Sequence, residues 1–349
     1  MIKALVIDDS AYNRVTISKM LETHPQIKVV GTAVDGEDGI KQVLRTKPHV
    51  ITLDLEMPVM DGFAFLRWVM ANSPTPVIAV SSKSSDRSVF KALELGALDF
   101  IAKPGGRVSL KLSEIEHELI AKVLQVGHVR VDNLAKLAHE EAAEKDKRGG
   151  EMEEKCEGDI EIVAIGSSTG GPPALQRVFE SLPKLPVSFV VAQHMPPTFT
   201  RLFAERVNRL TALDVKEAED LERVKPGKVY IAPGGQQTEV HRDDNGLYLR
   251  VVSPRPEELY APSVDTLFRT ASDACGKRLI AVVLTGMGDD GSRTLPQLRS
   301  RGAKTIAESV DTAIISGMPG AAVKTGCVEH ILPLGDIATM IKKICVNGL

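Results

Sequence analysis

The stretch IVAIGSSTGGPPAL, from Ile162 to Leu175, joins an apolar run to a turn of glycines and hydroxyls, and then to a segment that begins with two prolines. The run predicts a buried strand, and early proline is typical of a helix start. Strand, turn and helix form the unit from which α/β sheets are built. Alone, the turn allows three interpretations: it presents Ser168 as a nucleophile, it binds an anion, or it is only a tight turn.

Length and composition predict a protein of two domains. The chain has 349 residues, of which 43% are hydrophobic and 26% charged, enough for two cores. A net charge of −3 argues against nucleic acid as a partner. No apolar run reaches the roughly 18 residues of a membrane span, and no signal-peptide pattern is present, so we expect a cytoplasmic protein without membrane insertion. The four dispersed cysteines favour free thiols.

Residues 1–125 alternate apolar runs with amphipathic segments, the pattern of a parallel sheet. We predict a (βα)5 doubly wound domain there. Residues 140–159 contain nine acidic and four basic side chains and almost no large apolar ones, so they cannot form a core. We therefore predict a charged linker at residues 126–158, helical over 131–143.

The alternation of apolar runs and helical segments resumes in residues 159–349. It predicts a three-layer α/β/α domain with a mostly parallel sheet. Residues 240–252 differ, because Asp-Asn-Gly stands between two alternating stretches and predicts an antiparallel hairpin. The predicted strands of this domain are 162–165, 187–192, 229–232, 279–284 and 304–307.

Polar residues follow the predicted strands of the first domain. Asp8 and Asp9 come after the first strand, and Asp54 ends the third. Because the carboxyl ends of parallel strands share one edge, these carboxylates need a hard cation such as Mg²⁺ among them. Ser81 and Lys103 follow the fourth and fifth strands, and the whole set suits transfer of a phosphoryl group to a carboxylate.

The motifs DD-S, D-x-E-M-P-x-M-D-G, V-S-S and K-P in residues 1 to about 125 resemble those of response-regulator receiver domains. The resemblance implies that Asp54 accepts a phosphoryl group from a histidine kinase. It also implies that Mg²⁺ is bound by Asp8, Asp9, Asp54 and the backbone carbonyl of Glu56.

A serine nucleophile needs a base and a carboxylate that orients the base. Among the eight histidines, His194 ends a predicted strand, at the edge of the sheet where the carboxyl ends of the strands meet and where Ser168 is also expected. We call this edge the rim. Asp289 and Asp290 follow a third strand, and the residues alone do not decide between them. The chain order Ser, His, Asp differs from that of α/β-hydrolases.

The same loop carries a competing motif. GMGDDG, from Gly286 to Gly291, matches the dinucleotide-binding pattern, and Glu308 ends the next apolar run. Two aspartates inside the loop would repel a pyrophosphate, which makes this the weaker interpretation.

Together, GSSTGG, QHMPP, APSVD, LTGMGDDG and SGMP closely resemble the catalytic domain of bacterial chemotaxis protein-glutamate methylesterases of the CheB type, over residues 160 to 347. The resemblance implies Ser168 as nucleophile, His194 as base and acid, and Asp290 as orienting carboxylate. It implies oxyanion donors in the backbone of Thr169 and Met287, and no cofactor in this domain. Asp265 also falls in a family motif, and we interpret it as structural. Ser167 stands where the family usually has Ala.

The family resemblance also implies a function and partners. We expect demethylation of glutamate methyl esters and deamidation of glutamines on methyl-accepting chemoreceptors, by a monomer that a chemotaxis histidine kinase phosphorylates. The unmodified receiver would cover the rim at Ser168, and phosphate on Asp54 would loosen that cover. Arg201 and Arg206 are candidates for docking an acidic substrate, although a solvated helix face fits them equally well.

Two other classes of function compete with the enzyme. A non-enzymatic signalling protein would join a receiver to a small-molecule sensor built from the glycine loops, and would keep its activity without the Ser168 hydroxyl. A DNA-binding regulator is disfavoured, because no basic helix-turn-helix follows the linker.

Overall fold

The structure, a computed structural model, describes residues 1–82, 86–103, 115–126 and 159–347, without the side chains of residues 82, 86, 87 and 347. The chain divides into two compact units, Met1–Lys147 and Arg148–Leu349. The predicted linker, with its helical start, lies outside the described residues except for residue 126.

The first unit contains one sheet of five strands. Its strands are β1 (Ile2–Ile7), β2 (Ile27–Ala33), β3 (Val50–Asp54), β4 (Val77–Ser82) and β5 (Asp99–Lys103). Its described helices are α1 (Ala11–Glu22), α2 (Gly36–Thr46), α3 (Gly62–Asn72), α4 (Asp86–Glu94) and α5 (Glu116–Val126). The strands lie in the order β2-β1-β3-β4-β5 and every pairing is parallel, which confirms the predicted doubly wound sheet.

Local sequence explains where these elements begin. All five residues of β3 are buried, as expected for a strand with helices on both faces, which is why it reads as a continuous apolar run. Ser10, Asp35 and Asp61 precede α1, α2 and α3, and each side chain accepts a hydrogen bond from a backbone N–H in the first turn of its helix. Strand ends and helix starts therefore meet at one edge of the sheet.

The second unit contains a seven-stranded sheet and a separate hairpin. Its strands are β6 (Ile162–Ser167), β7 (Ser188–Gln193), β8 (Asp214–Glu217), β9 (Lys228–Ile231), β10 (Gln237–Asp243), β11 (Gly246–Val252), β12 (Leu279–Val283), β13 (Lys304–Glu308) and β14 (His330–Leu332). Its helices are α6 (Gly171–Glu180), α7 (Pro197–Leu210), α8 (Val264–Cys275), α9 (Leu295–Ser300), α10 (Gly317–Lys324) and α11 (Leu334–Asn347).

The large sheet has the order β14-β13-β12-β6-β7-β9-β8, and all its pairings are parallel. Helix α6 packs against α7 and α11, while α8 packs against α9 and the hairpin. All six residues of β6 are buried, and only Ile162 and Ala164 among its apolar residues join the core cluster that contains α8. The sheet is thus covered on both faces, which confirms the predicted three-layer arrangement.

Strands β10 and β11 form the predicted antiparallel hairpin, three residues longer at its start than the sequence indicated. Its last pair is Asp243 with Gly246, and Gly246 has a φ of 106°. This left-handed conformation is the reason why glycine closes the turn. Among the described residues, no helix combines the length and the apolar character that crossing a membrane requires.

Candidate active site

Ser168 lies on a sharp turn between β6 and α6. Its N–H donates to the carbonyl of Thr285 at 3.0 Å, and its own carbonyl accepts from Gly171 at 2.8 Å. Gly170, the third residue after β6, has a φ of 76°, a left-handed conformation that lets the chain turn before α6 begins. Ser168 is 8% exposed, so it lies at the base of a rim and not on an open surface.

His194 reaches the same rim from the neighbouring strand. Strands β6 and β7 pair in parallel with Ser167 opposite Gln193, so Ser168 and His194 are each the first residue beyond a paired strand end. The His194 N–H donates to the carbonyl of Ser167 at 3.0 Å. Since paired strands lie about 4.8 Å apart, this register brings the two residues side by side.

Asp290 comes from the loop after β12, on the other side of β6. His194 Nε2 lies 2.9 Å from Asp290 Oδ2. The carboxylate is 3% exposed and also accepts from the Val264 N–H, the Asp265 N–H and Ser263 Oγ, at 2.7, 2.9 and 3.0 Å. Burial alone would raise the pKa of Asp290, but His194 and the backbone donors outweigh it and lower that pKa.

These contacts distinguish Asp290 from its neighbour Asp289. The side chain of Asp289 is 52% exposed and pairs with Arg293 at 3.4 Å. The structure therefore brings together Ser168, His194 and Asp290 on one rim, and places Asp289 on the surface. Asp265 accepts two hydrogen bonds from Thr294 at the start of α9, which is a structural role.

The loop from Thr285 to Gly291 forms one wall of the site. A Cβ on Gly286 would lie 2.8 Å from Ser168 Cβ and 3.0 Å from Ser168 N, so only glycine fits there. Met318, from the SGMP motif, packs behind it and donates its N–H to the Gly286 carbonyl at 2.9 Å. The Met287 N–H donates to none of the residues that the structure describes, and Met287, which follows Gly286, is half-buried.

Glu308 contacts this loop from inside the unit. Its Oε2 accepts from the Thr285 N–H at 2.8 Å, and its Oε1 accepts from Thr312 Oγ1 at 3.1 Å. Burial raises the pKa of Glu308 to about 7, although these hydrogen bonds and the charge of Arg177 oppose the change. The acidic residue of the dinucleotide-like pattern is therefore enclosed in the fold.

Three residues of the rim were not identified from the sequence as site residues. The ring of Tyr260 stacks on the imidazole of His194, with centroids 4.6 Å apart and planes at 6°. Ser263 Oγ donates a hydrogen bond to Asp290, and Gln193 Nε2 donates to the carbonyls of Ser168 and His194. For Gln193 a signal exists, because a polar side chain directly follows the apolar run from Phe189 to Ala192. For Tyr260, which precedes the APSVD motif, sequence spacing gives none.

The receiver unit carries a second polar cluster. Carboxylate oxygens of Asp8, Asp9 and Asp54 lie within 4.8 Å of one another, a spacing that suits one cation bound by oxygen ligands. Lys103 Nζ lies 2.9 Å from Asp8 Oδ2 and 2.6 Å from Asp54 Oδ2. Ser81 is buried on β4, and its partner in the register is Ala102, the residue before Lys103.

Two of the three carboxylates in this cluster, Asp8 and Asp54, are buried, and Asp9 is exposed. Burial raises the pKa of Asp54, an effect that Lys103 opposes and Asp8 reinforces. Burial would lower the pKa of Lys103, but the two carboxylates raise it. The Glu56 N–H points to Asp54 Oδ1 at 3.3 Å. Asn13, which the sequence did not single out, donates to both oxygens of Asp8.

The two arginines considered for docking differ in environment. The side chain of Arg201 on α7 is 76% exposed and pairs with Glu205 at 3.1 Å. Arg206 donates to Gln176 on α6 at 3.4 Å. Arg201 is therefore the more accessible of the two, with its charge partly offset by a neighbour.

Fold and sites together define a response regulator whose second unit is a hydrolase-type α/β domain. The chain matches the family models for the CheB methylesterase over residues 163–341 and for the response regulator receiver domain over residues 4–113. It is 44% identical to protein-glutamate methylesterase/protein-glutamine glutaminase 3 of Geobacter sulfurreducens, over 99% of this chain and 97% of the relative. The chain belongs to the CheB methylesterase family.

Two further comparisons agree. The chain is 46% identical to protein-glutamate methylesterase/protein-glutamine glutaminase 1 of Myxococcus xanthus, over 97% of this chain and 95% of the relative. The crystal structure of the Thermotoga maritima CheB methylesterase catalytic domain is similar with a TM-score of 0.52 and 37% identity, covering 53% of this chain and 98% of that chain. The likeness to curated relatives thus extends over both units.

Proposed function

We propose that the chain hydrolyses glutamate methyl esters on chemoreceptors, and deamidates glutamines there, with Ser168, His194 and Asp290. Both activities stand in the names of its relatives. The observation that carries the proposal is the hydrogen bond of 2.9 Å between His194 and Asp290, on the rim where the Ser168 strand ends. A base oriented by a buried carboxylate next to a serine is the arrangement of a nucleophilic hydrolase.

In the proposed reaction, Ser168 Oγ attacks the ester carbonyl carbon. Because Asp290 accepts a hydrogen bond from one imidazole nitrogen of His194, the other nitrogen keeps its lone pair and takes the serine proton. That proton passes to the departing methoxide, which leaves as methanol and yields an acyl-enzyme. Water, deprotonated by His194, then releases the glutamate carboxylate and restores Ser168. With a glutamine substrate, ammonia leaves in place of methanol.

The negative oxygen of the tetrahedral intermediates needs hydrogen-bond donors. We propose the backbone N–H groups of Met287 and Thr169, because Met287 lies in the loop beside Ser168 and Thr169 begins the turn into α6. Both lie on segments fixed by Gly286, Gly170 and Thr285, whose hydroxyl donates to the Thr169 carbonyl at 3.0 Å. Donors held this way do not reorganise as charge develops.

The experiment for this proposal compares Ser168→Ala with Ser181→Ala, a serine exposed at the end of α6. We expect Ser168→Ala to lose methanol release from methylated chemoreceptor membranes and to resist labelling by a fluorophosphonate, while Ser181→Ala keeps both. A Ser168→Ala protein with unchanged methanol release would contradict the proposal and favour the non-enzymatic signalling protein.

We further propose that the receiver unit takes a phosphoryl group on Asp54 from a chemotaxis histidine kinase. Asp8, Asp9, Asp54 and the Glu56 carbonyl would hold Mg²⁺, which supplies positive charge for the phosphoryl oxygens. Lys103 already contacts Asp54 at 2.6 Å and would stabilise the phosphorylated carboxylate, and Ser81 would bond the phosphate. The spacing of the three carboxylates supports this assignment.

Phosphorylation would then increase the esterase activity. We expect Asp54→Asn to retain a low basal rate of methanol release that a small phosphodonor, such as acetyl phosphate, does not raise. Glu37→Gln, which alters an exposed carboxylate of α2, serves as the control and should respond like the wild type. An Asp54→Asn protein that still responds to the phosphodonor would remove Asp54 as the regulatory acceptor.

A further inference from the structure

A buried hydrogen-bonded pair lies directly beneath the turn of Ser168. Ser167 Oγ donates to Gln193 Oε1 at 2.6 Å, and Gln193 Nε2 donates to the carbonyls of Ser168 and His194, both at 2.9 Å. Ser167 is 0% exposed and Gln193 is 1% exposed. These bonds use the amide oxygen and both amide protons, so the orientation of the amide is fixed. Reversing it would place Oε1 against two carbonyl oxygens.

We propose that Ser167 and Gln193 act as positioning residues that tie the Ser168 turn to the His194 loop. The last backbone hydrogen bond between β6 and β7 runs from His194 N–H to the Ser167 carbonyl. Beyond it, the Ser168 N–H turns to Thr285 on the opposite side. The Gln193 amide is thus the group that contacts the backbones of both Ser168 and His194 past the end of the strands.

The surroundings leave the amide one position. A Cβ on Gly171, the first residue of α6, would lie 2.9 Å from Ser167 Cβ and would also collide with the Gln193 amide. The hydroxyl of Ser167 bonds the buried Gln193 amide, so it faces the interior of the fold and not the rim. It supplies the hydrogen bond that the buried amide oxygen needs, and does not act as a second nucleophile.

This inference rests on the proposed esterase function and predicts a specific kinetic signature. Ser167→Ala leaves Gln193 Oε1 without a donor, and Gln193→Met replaces the amide with an apolar chain of similar length. We expect kcat to fall up to about 100-fold for Gln193→Met, because small displacements of reacting groups are costly. Ser167→Ala should lower kcat less, about 3-fold, because Ala is the residue that the family usually has at this position and Gln193 Nε2 keeps its two carbonyl acceptors. The KM for methylated receptor membranes should change less than about 2-fold, since neither residue contacts substrate.

A double-mutant cycle tests the pairing, with the full-length protein and two readouts: kcat for methanol release and the rate of Ser168 labelling by a fluorophosphonate. If the residues act as one unit, Ser167→Ala adds little to Gln193→Met. Thr305→Val is the control, since it removes a buried hydroxyl of β13 that donates to the Cys327 carbonyl at 2.8 Å. It should lower stability and leave both rates unchanged.

Two results would overturn the inference: single variants with wild-type kcat and labelling rates, or losses that multiply fully in the double variant. Failure of the esterase proposal looks different, because the wild type itself would then release no methanol and Ser168 would not be labelled. Wild-type activity with unaffected variants therefore rejects only the positioning pair.

Discussion

At the scale of single residues, the buried carboxyl of Glu308 should make the stability of the second unit depend on pH. Its carboxyl lies at the end of β13 and is 1% exposed, with hydrogen bonds to Thr285 and Thr312. Since burial raises its pKa to about 7, the folded chain keeps a proton that the unfolded chain releases near its ordinary value. Stability should therefore fall as pH rises from about 4.5 to about 7, and then level off.

We predict that Glu308→Gln removes this loss, because glutamine can accept from Thr285 and donate to the Thr312 hydroxyl without becoming charged. The free energy of unfolding of the wild type should drop by roughly 3 kcal/mol more than that of the variant between pH 4.5 and pH 8. Urea unfolding followed by circular dichroism measures both. Glu329→Gln changes an exposed carboxylate and should keep the wild-type dependence. Parallel curves for Glu308→Gln and wild type would contradict the prediction.

The sequence indicated which polar residues meet at one edge of the sheet where those residues follow strand ends, and their catalytic roles remain a prediction. Ser168, His194 and Asp290 each follow a buried strand, and parallel strands bring such residues to one edge. Tyr260 contacts His194 from a loop with no regular spacing relative to β7, so no periodicity indicates it. The contact of Glu308 with Thr285 was also not expected, since it depends on the register between β12 and β13.

At the scale of elements, the loop after β12 is limited by the space beside Ser168. We predict that Gly286→Ala lowers kcat at least 10-fold and costs about 1–3 kcal/mol of stability, because the new Cβ would meet Ser168 Cβ at 2.8 Å and Met318 more closely still. Methanol release and urea unfolding measure the two effects.

The control for that variant is a second Gly-to-Ala substitution, at a glycine with open space around it. Gly320 lies inside α10, and a Cβ there would meet no atom within 4 Å. Gly320→Ala should keep full activity and stabilise the fold by about 0.5–1 kcal/mol, because alanine loses less backbone freedom in a helix. Equal effects of the two substitutions would show that the crowding at Gly286 is unimportant.

The elements that the sequence did not reveal are the two edge strands of the large sheet. Strand β8 has one buried residue in four, and β14 has none in three. A strand at the edge lacks a neighbour on one side and needs no continuous apolar run, so apolar runs mark the central strands and miss the outer ones. The five central strands were all predicted for this reason.

At the scale of the whole molecule, the two units have separate sheets and separate polar sites. We predict that a fragment of residues 159–349 folds, releases methanol from methylated receptor membranes, and does not respond to acetyl phosphate. Full-length protein treated in parallel should respond. An insoluble or inactive fragment would contradict the prediction and would mean that residues 1–158 are needed to complete the catalytic unit.

The domain order, the family and the enzyme class could be predicted because short motifs surround each reactive group. The boundaries at residues 125 and 158 remain a prediction, since the residues between them lie outside the described ranges.

The strand order of the large sheet has a consequence for biosynthesis. Strand β6 is the first strand of this sheet to be synthesised, and it lies in the middle of the sheet. Strands β7, β9 and β8 lie on one side of it, and β12, β13 and β14 on the other. A nascent chain that stops before residue 279 would therefore present an open, apolar flank of β6 to other chains. The strands that cover this flank begin with β12, and Asp290 follows β12 in the chain. The same segment therefore covers the exposed edge of β6 and supplies the carboxylate of the proposed catalytic site.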